Sequence, residues 1–256
     1  MATFTASDGI EIAFYEYGER AADDVPVVLQ HGFAASSQTN WVQPGVVTAL
    51  QAAGRSVIAV DARGHGQSGK PHDPAFYGEP RMAADLSELF DHLGLTQLDL
   101  VGYSMGAIIS LLTAANETRI RRLVVGGIGG GVVEMGGVDR RHLDTTALAD
   151  ALRADDPTTV TNPVARGFRL FADSQGSDRF ALAAQAESVH RSAIALDQIS
   201  AVESLVLVGR DDPLAVRPEV LSGAIPRASL AVVDGDHLSA LRSAEFAPAV
   251  VEFVGR

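Results

Sequence analysis

The chain has 256 residues, 46% hydrophobic and 20% charged, with a net charge of -12 and no cysteine. That length and apolar content fit one large folded domain and exclude wholesale disorder. The acidic balance argues against a nucleic-acid partner, which calls for a basic face, and the lack of cysteine removes disulfides, thiolate zinc sites and cysteine nucleophiles.

Residues 2–6 and 11–17 alternate as two strands joined at Asp8-Gly9, an antiparallel ribbon at a sheet edge. Val25 to Gln30 is a continuous apolar run, the mark of a strand buried on both faces, and it ends in His31-Gly32-Phe33. A helix over Trp41 to Ala53 leads to a second buried strand, Ser56 to Val60, closed by Asp61. Pro80 opens a helix that carries Met82, Leu86, Leu89, Phe90 and Leu93 on one face and stops at Gly94. Leu98 to Tyr103 reads as a strand, Ala107 to Asn116 as a helix and Ile120 to Val125 as a strand. Strands and helices alternating at this spacing predict right-handed crossovers and a mostly parallel sheet.

From about Gly126 the rhythm changes. A glycine cluster precedes helical pieces near Val138–Ala154, Val164–Ala172 and Arg179–Ile194, with no convincing strand. This segment, bounded at 129–202, reads as a helical insertion lying over the sheet and hinged by glycines, with residues 1–128 and 203–256 forming the core. The alternation resumes with strand Ser204 to Val208, a helix near Val216–Ala224, strand Ser229 to Val233 and a helix from Ser239 to Val254. The start of the chain lacks the basic and apolar regions of a signal peptide, and Leu123 to Val133, the longest apolar stretch, is too short to span a bilayer. A cytoplasmic protein without a membrane span is expected.

Ligands of an open parallel sheet sit beyond the carboxyl ends of its strands, and the loops there are chemically loaded. Gly102-Tyr103-Ser104-Met105-Gly106 places a serine on a sharp strand-to-helix turn, with the Met105 N–H at the start of the helix aimed where an oxyanion would form. A serine nucleophile needs a histidine base, and the base needs a carboxylate. His237 follows the last strand directly in Gly235-Asp236-His237. Asp211 and Asp212 follow strand 204–208, and Pro213 should hold Asp212 extended at the sheet edge while Asp211 faces solvent. Asp236, the immediate neighbour of His237, should point elsewhere.

The loop after Asp61 imitates other sites. Gly64-x-Gly66-x-x-Gly69 satisfies a dinucleotide pattern and Gly64-x4-Gly69-Lys70 a phosphate loop, but Pro71 stands where a hydroxyl is needed and no helix follows at once. No nucleotide cofactor is expected, and no metal site, since His, Asp and Glu lack ligand spacing.

Taken jointly, His31-Gly32-Phe33, Asp61-x-Arg63-Gly64-x-Gly66-x-Ser68, the Ser104 turn, Gly209-x-x-Asp212-Pro213 and Gly235-Asp236-His237 resemble the α/β-hydrolase family along essentially the whole chain. The resemblance implies the α/β-hydrolase fold: a mostly parallel sheet of about eight strands, helices on both faces and a helical cap. It implies Ser104, Asp212 and His237 as catalytic residues and the backbone N–H groups of Phe33 and Met105 as the oxyanion hole. Substrate contacts are expected at Phe33, Tyr103, Phe168 and Phe171, with Leu170, Leu182 and Val189 adding apolar surface. The implied reaction is cleavage of an ester or lactone of a small, largely apolar molecule, without a cofactor. The similar perhydrolase branch usually carries tryptophan at the position of Phe33, a carbon–carbon bond hydrolase would use the same residues, and a ligand-binding receptor on the same scaffold is the rival from another class.

Overall fold

A computed structural model describes residues 1–21 and 24–255; positions 22, 23 and 256, within the expected core bounds, lie outside the described residues. Its strands are β1 (Ala2–Thr5), β2 (Glu11–Tyr17), β3 (Val27–Gln30), β4 (Val57–Val60), β5 (Leu98–Tyr103), β6 (Ile120–Gly126), β7 (Glu203–Gly209) and β8 (Ala228–Val233). They form an eight-stranded sheet in the order β1-β2-β4-β3-β5-β6-β7-β8. The β1–β2 and β2–β4 pairs are antiparallel and the rest are parallel.

The continuous apolar runs are explained by burial on both sides. In β5, Leu98 and Leu100 join one cluster while Val101 and Tyr103 join the other; in β7, Val206 and Val208 oppose Leu205 and Leu207. Side chains of a strand point alternately to its two faces, so a sheet covered on both sides leaves no polar position to alternate with. Helices α2 (Glu79–His92), α3 (Met105–Ala114) and α8 (Pro218–Ala224) cover one face, and α1 (Val46–Ala52) and α9 (Phe246–Val254) the other. The predicted stripe on α2 is buried at Met82, Leu86, Leu89 and Phe90.

Helix boundaries depart from expectation where caps decide them. The helix expected over 41–53 is a π-type turn at Gln38–Val42 followed by α1, parted by a Pro44-Gly45 turn. Between β6 and β7 the described residues form α4 (Gly131–Met135), α5 (Thr145–Arg153), α6 (Pro163–Ser174) and α7 (Arg179–Glu187). Residues 138–144 are not helical, because the Asp144 side chain accepts from Thr146 and Ala147 N–H and so starts α5 there. Asn162 and Asp178 cap α6 and α7 in the same way. Helix α7 ends at Glu187, well before the expected Ile194. The last expected helix is split into a short 3₁₀ turn at Ala240–Arg242 and α9. A third apolar cluster, including Leu143, Leu148, Leu152 and Leu182, is confined to 143–186 except for Ala34 and partly buried neighbours such as Phe33 and Leu214.

From β3 the chain steps to β4 on one side, then crosses back to lay β5 on the other side of β3. The loops after β3 and β5 thus lie side by side where the strand order reverses, the place where open α/β sheets bind ligands.

Candidate active site

Ser104 sits between β5 and α3 at φ 54 and ψ -118, a conformation L side chains rarely adopt. The surroundings enforce it. A Cβ on Gly102 would strike the Gly106 carbonyl, and one on Gly106 would strike that of Gln30 at the end of β3, so only glycine admits so close a turn. The Ser104 N–H donates to the Gly126 carbonyl at 2.8 Å, which fixes the serine against β6.

The structure brings His237 and Asp212 to this serine. His237 Nε2 lies 2.9 Å from Ser104 Oγ, and its Nδ1 lies 2.8 and 3.0 Å from the two carboxylate oxygens of Asp212. With Nδ1 protonated toward Asp212, Nε2 is free to accept the serine hydroxyl. Asp212 is 7% exposed and also accepts from the Leu214 N–H at 2.8 Å. Asp211 is exposed. Asp236 points away: its carboxylate closes its own turn by accepting from the N–H groups of Leu238 and Ser239.

The loop after β3 also reaches this place. A Cβ on Gly32 would stand 3.2 Å from Ser104 Cβ, so the loop carrying Phe33 touches the serine turn. Neither the Phe33 nor the Met105 N–H bonds to a backbone acceptor outside regular elements among the described residues. The loop after β3 is shaped by two histidines. His31 Nε2 accepts from the Ala62 N–H at 2.9 Å, and His65 Nε2 accepts from the Ala34 N–H at 3.1 Å. Burial keeps both rings below the ordinary histidine range, His65 at about 3, so they remain neutral acceptors.

The segment that imitates a phosphate loop spends its polar groups internally. Arg63, fully buried, pairs with Asp8 and Asp85 at 2.7 Å each. Asp61 accepts from the Ser37 and Gln67 N–H groups, and Ser68 Oγ bridges the Ala13 N–H and the Asp61 carbonyl. His72 is exposed and faces Asp178 at 2.9 Å, and His92 is exposed beside Phe4.

Two cavities meet at Ser104. The inner one, about 50 Å³, runs under α5 and α7 and is walled by Ile108, Val132, Leu143, Leu148 and Phe168. The outer one, about 200 Å³, lies between Phe33, Phe168, Phe171 and His237. Phe33 and Phe168 meet edge to face at 5.9 Å between them. Of the remaining expected contacts, Val189 lines the inner cavity, Leu182 is wholly buried in the cluster of 143–186, and Leu170 is 49% exposed. Tyr103 borders the outer cavity, but its hydroxyl is already bonded to the His237 carbonyl. The polar residues Glu79 and Gln185 at the inner cavity were not singled out from sequence; nothing local marks a helix glutamate or glutamine as facing a cavity.

The sheet and this site define an α/β hydrolase, and residues 25–193 match the family model described as alpha/beta hydrolase fold. The chain belongs to that family. It is 37% identical over 120 residues to the 2-hydroxy-6-oxo-2,4-heptadienoate hydrolase of Pseudomonas putida, covering 46% of this chain and 41% of that one. It is 34% identical over 113 residues to the sn-1-specific diacylglycerol lipase ABHD11 of Danio rerio, covering 43% and 34%. Each match thus spans less than half of the relative's length. Among solved structures, a hydrolase from Pseudomonas aeruginosa PA01 superposes with a TM-score of 0.77 at 25% identity, covering 100% of this chain and 98% of that one. No helix among the described residues is long and apolar enough to cross a membrane.

Proposed function

We propose that this α/β hydrolase cleaves carboxylic esters or lactones of small, largely apolar molecules through an acyl-enzyme on Ser104. The observation that carries the reading is the 2.9 Å contact between Ser104 Oγ and His237 Nε2, with the Asp212 carboxylate behind the ring at 2.8 Å. His237 takes the hydroxyl proton as Oγ bonds to the ester carbonyl carbon, and Asp212 fixes the tautomer and stabilises the imidazolium. The carbonyl oxygen gathers negative charge at the Phe33 and Met105 N–H groups, a contribution of about 3–4 kcal/mol for one such donor. His237 then gives its proton to the departing alcohol as the carbon–oxygen bond breaks. Water, deprotonated by the same ring, releases the acid and restores the serine.

Residues 129–202 act as the cap in this reading, closing apolar walls over the serine. Apolar lining with few polar groups favours a small hydrophobic acyl chain. A second reading, hydrolysis of a carbon–carbon bond in a diketone, is favoured by the 37% identity to the heptadienoate hydrolase. A fluorophosphonate probe should label Ser104, and 4-nitrophenyl butyrate should be hydrolysed; an unlabelled Ser104 would overturn the nucleophile assignment. Turnover of a vinylogous diketone well above that of any ester would move the assignment to carbon–carbon cleavage.

A further inference from the structure

The wall of the inner cavity carries polar groups that ester cleavage does not use. Gln185, on α7, is 2% exposed and lines this cavity together with Ser104. Its Nε2 lies against the sulfurs of Met82 and Met105, while its Oε1 has no hydrogen-bond partner among the described residues. Glu79, 3% exposed, also lines this cavity; its Oε2 accepts from the His190 N–H at 2.6 Å, and it forms no ion pair among the described residues. Burial pushes the Glu79 carboxyl up, toward its neutral form. Several of the surrounding walls are aliphatic or aromatic, among them Ile108, Leu143, Leu148 and Phe168.

A buried amide oxygen without a donor is costly, and a leucine or methionine would fill the same volume without that cost. The arrangement makes sense when something that enters the cavity supplies the donor. Met105 follows Ser104 in the chain and its sulfur touches the Gln185 amide, and all three residues line the same cavity. We propose that the preferred acyl group carries a neutral hydroxyl at or near its far end, received by Gln185 Oε1. This rests on the reading of Ser104 as the nucleophile, and it makes Gln185 a residue that sets specificity.

The test compares kcat/KM for 4-nitrophenyl 3-hydroxybutyrate with butyrate, and for 6-hydroxyhexanoate with hexanoate, lengths at which the hydroxyl does not readily close a lactone. At one length or both, the wild-type protein should favour the hydroxylated ester by about tenfold. That ratio should fall to about one in Gln185→Leu and in the more nearly isosteric Gln185→Met, with fluorophosphonate labelling of Ser104 reporting that each variant is folded. Wild-type ratios at or below one for both pairs overturn the proposal without any variant, and ratios unmoved in the labelled variants do the same. A stronger preference for the 6-aminohexanoate ester would assign the pocket to a cation instead and overturn the neutral hydroxyl. If neither plain ester is cleaved and Ser104 is unlabelled, the ester reading falls and takes this inference with it; plain-ester turnover with an unresponsive ratio sinks the inference alone.

Discussion

The Tyr103 hydroxyl donates to the main-chain carbonyl of His237 at 2.8 Å, so the residue before the serine anchors the residue that faces it. The two lie 134 positions apart in the chain, and the Tyr103 ring also packs on the imidazole with 5.5 Å between centroids. Burial raises the Tyr103 phenol well above its usual range, so the group stays a donor at any working pH. Tyr103 therefore ties the loop of His237 to the end of β5.

Tyr103→Phe keeps the ring and removes the anchor. A buried carbonyl left without its donor costs about 1–3 kcal/mol, visible as a lower urea midpoint. The histidine loop then wanders, and kcat should fall about tenfold with KM little changed, since geometry at the base matters more than binding there. A KM increase with kcat unchanged would show the ring serving the substrate instead.

Ser104 holds a strained backbone conformation, with φ at 54. Ser104→Ala should reduce ester hydrolysis by about 10⁴-fold or more while keeping the fold, because the proposed nucleophile is gone and the turn is still enforced by its neighbours. Ser104→Gly should be equally inactive yet more stable than Ser104→Ala by about 1 kcal/mol, as glycine tolerates the positive φ of 54. Thermal unfolding of the two variants side by side gives the comparison.

The two aspartates after β7 separate cleanly. Asp212→Asn should lower kcat by about 10⁴-fold, since an amide cannot stabilise the imidazolium or select its tautomer. Asp211→Asn, at an exposed position, should change kcat/KM by less than about threefold. Steady-state kinetics on a nitrophenyl ester decide the matter, and the reverse ranking would shift the acid by one residue.

Arg63 holds together the loop that mimics a phosphate site. Arg63→Ala removes the buried partner of Asp85, 4% exposed, leaves it only Arg81 at 3.0 Å, and should cost about 3 kcal/mol in chemical denaturation. Activity should fall with the folded fraction, because the residue braces the loop and does not reach Ser104.

Glu79 makes stability depend on pH with a definite sign. Its folded carboxyl titrates above the ordinary glutamate value because burial disfavours the charged form. Between the unfolded and folded values the folded state binds more protons, so this group's contribution is present at low pH and fades as pH rises through the folded value. Glu79→Gln removes that loss while keeping an oxygen for the His190 N–H. The variant should therefore gain melting temperature over the wild type at pH 8 and gain little at pH 4, with each 1 kcal/mol worth about 2–4 °C. An equal shift at both pH values would show that the carboxylate is not the cause.

What the sequence determined by itself was the set of strands and the serine turn, both written in short-range patterns. Apolar runs bounded by turns marked the strands, since a strand buried on both faces must be apolar throughout. Gly102 and Gly106 flanked a serine at the spacing a tight strand-to-helix turn requires. The order of Ser104, Asp212 and His237 along the chain, set against the loops that follow parallel strands, was enough to name the three residues that the structure brings within 3.0 Å.

Only the tertiary structure decided the rest, because it rests on contacts between residues far apart in the chain. The sulfur of Met105 meets Gln185 across 80 positions, and the Glu79 carboxyl meets the His190 N–H across 111. No local pattern distinguishes such a buried amide from one on a solvated helix. The same holds for His31 and His65, whose motifs leave their protonation unstated and which serve as neutral acceptors once burial strips away their solvent. Desolvation is a property of the packed volume, and it is that volume, closed by helices from one segment over strands from others, which turns ordinary polar residues into the walls of a site.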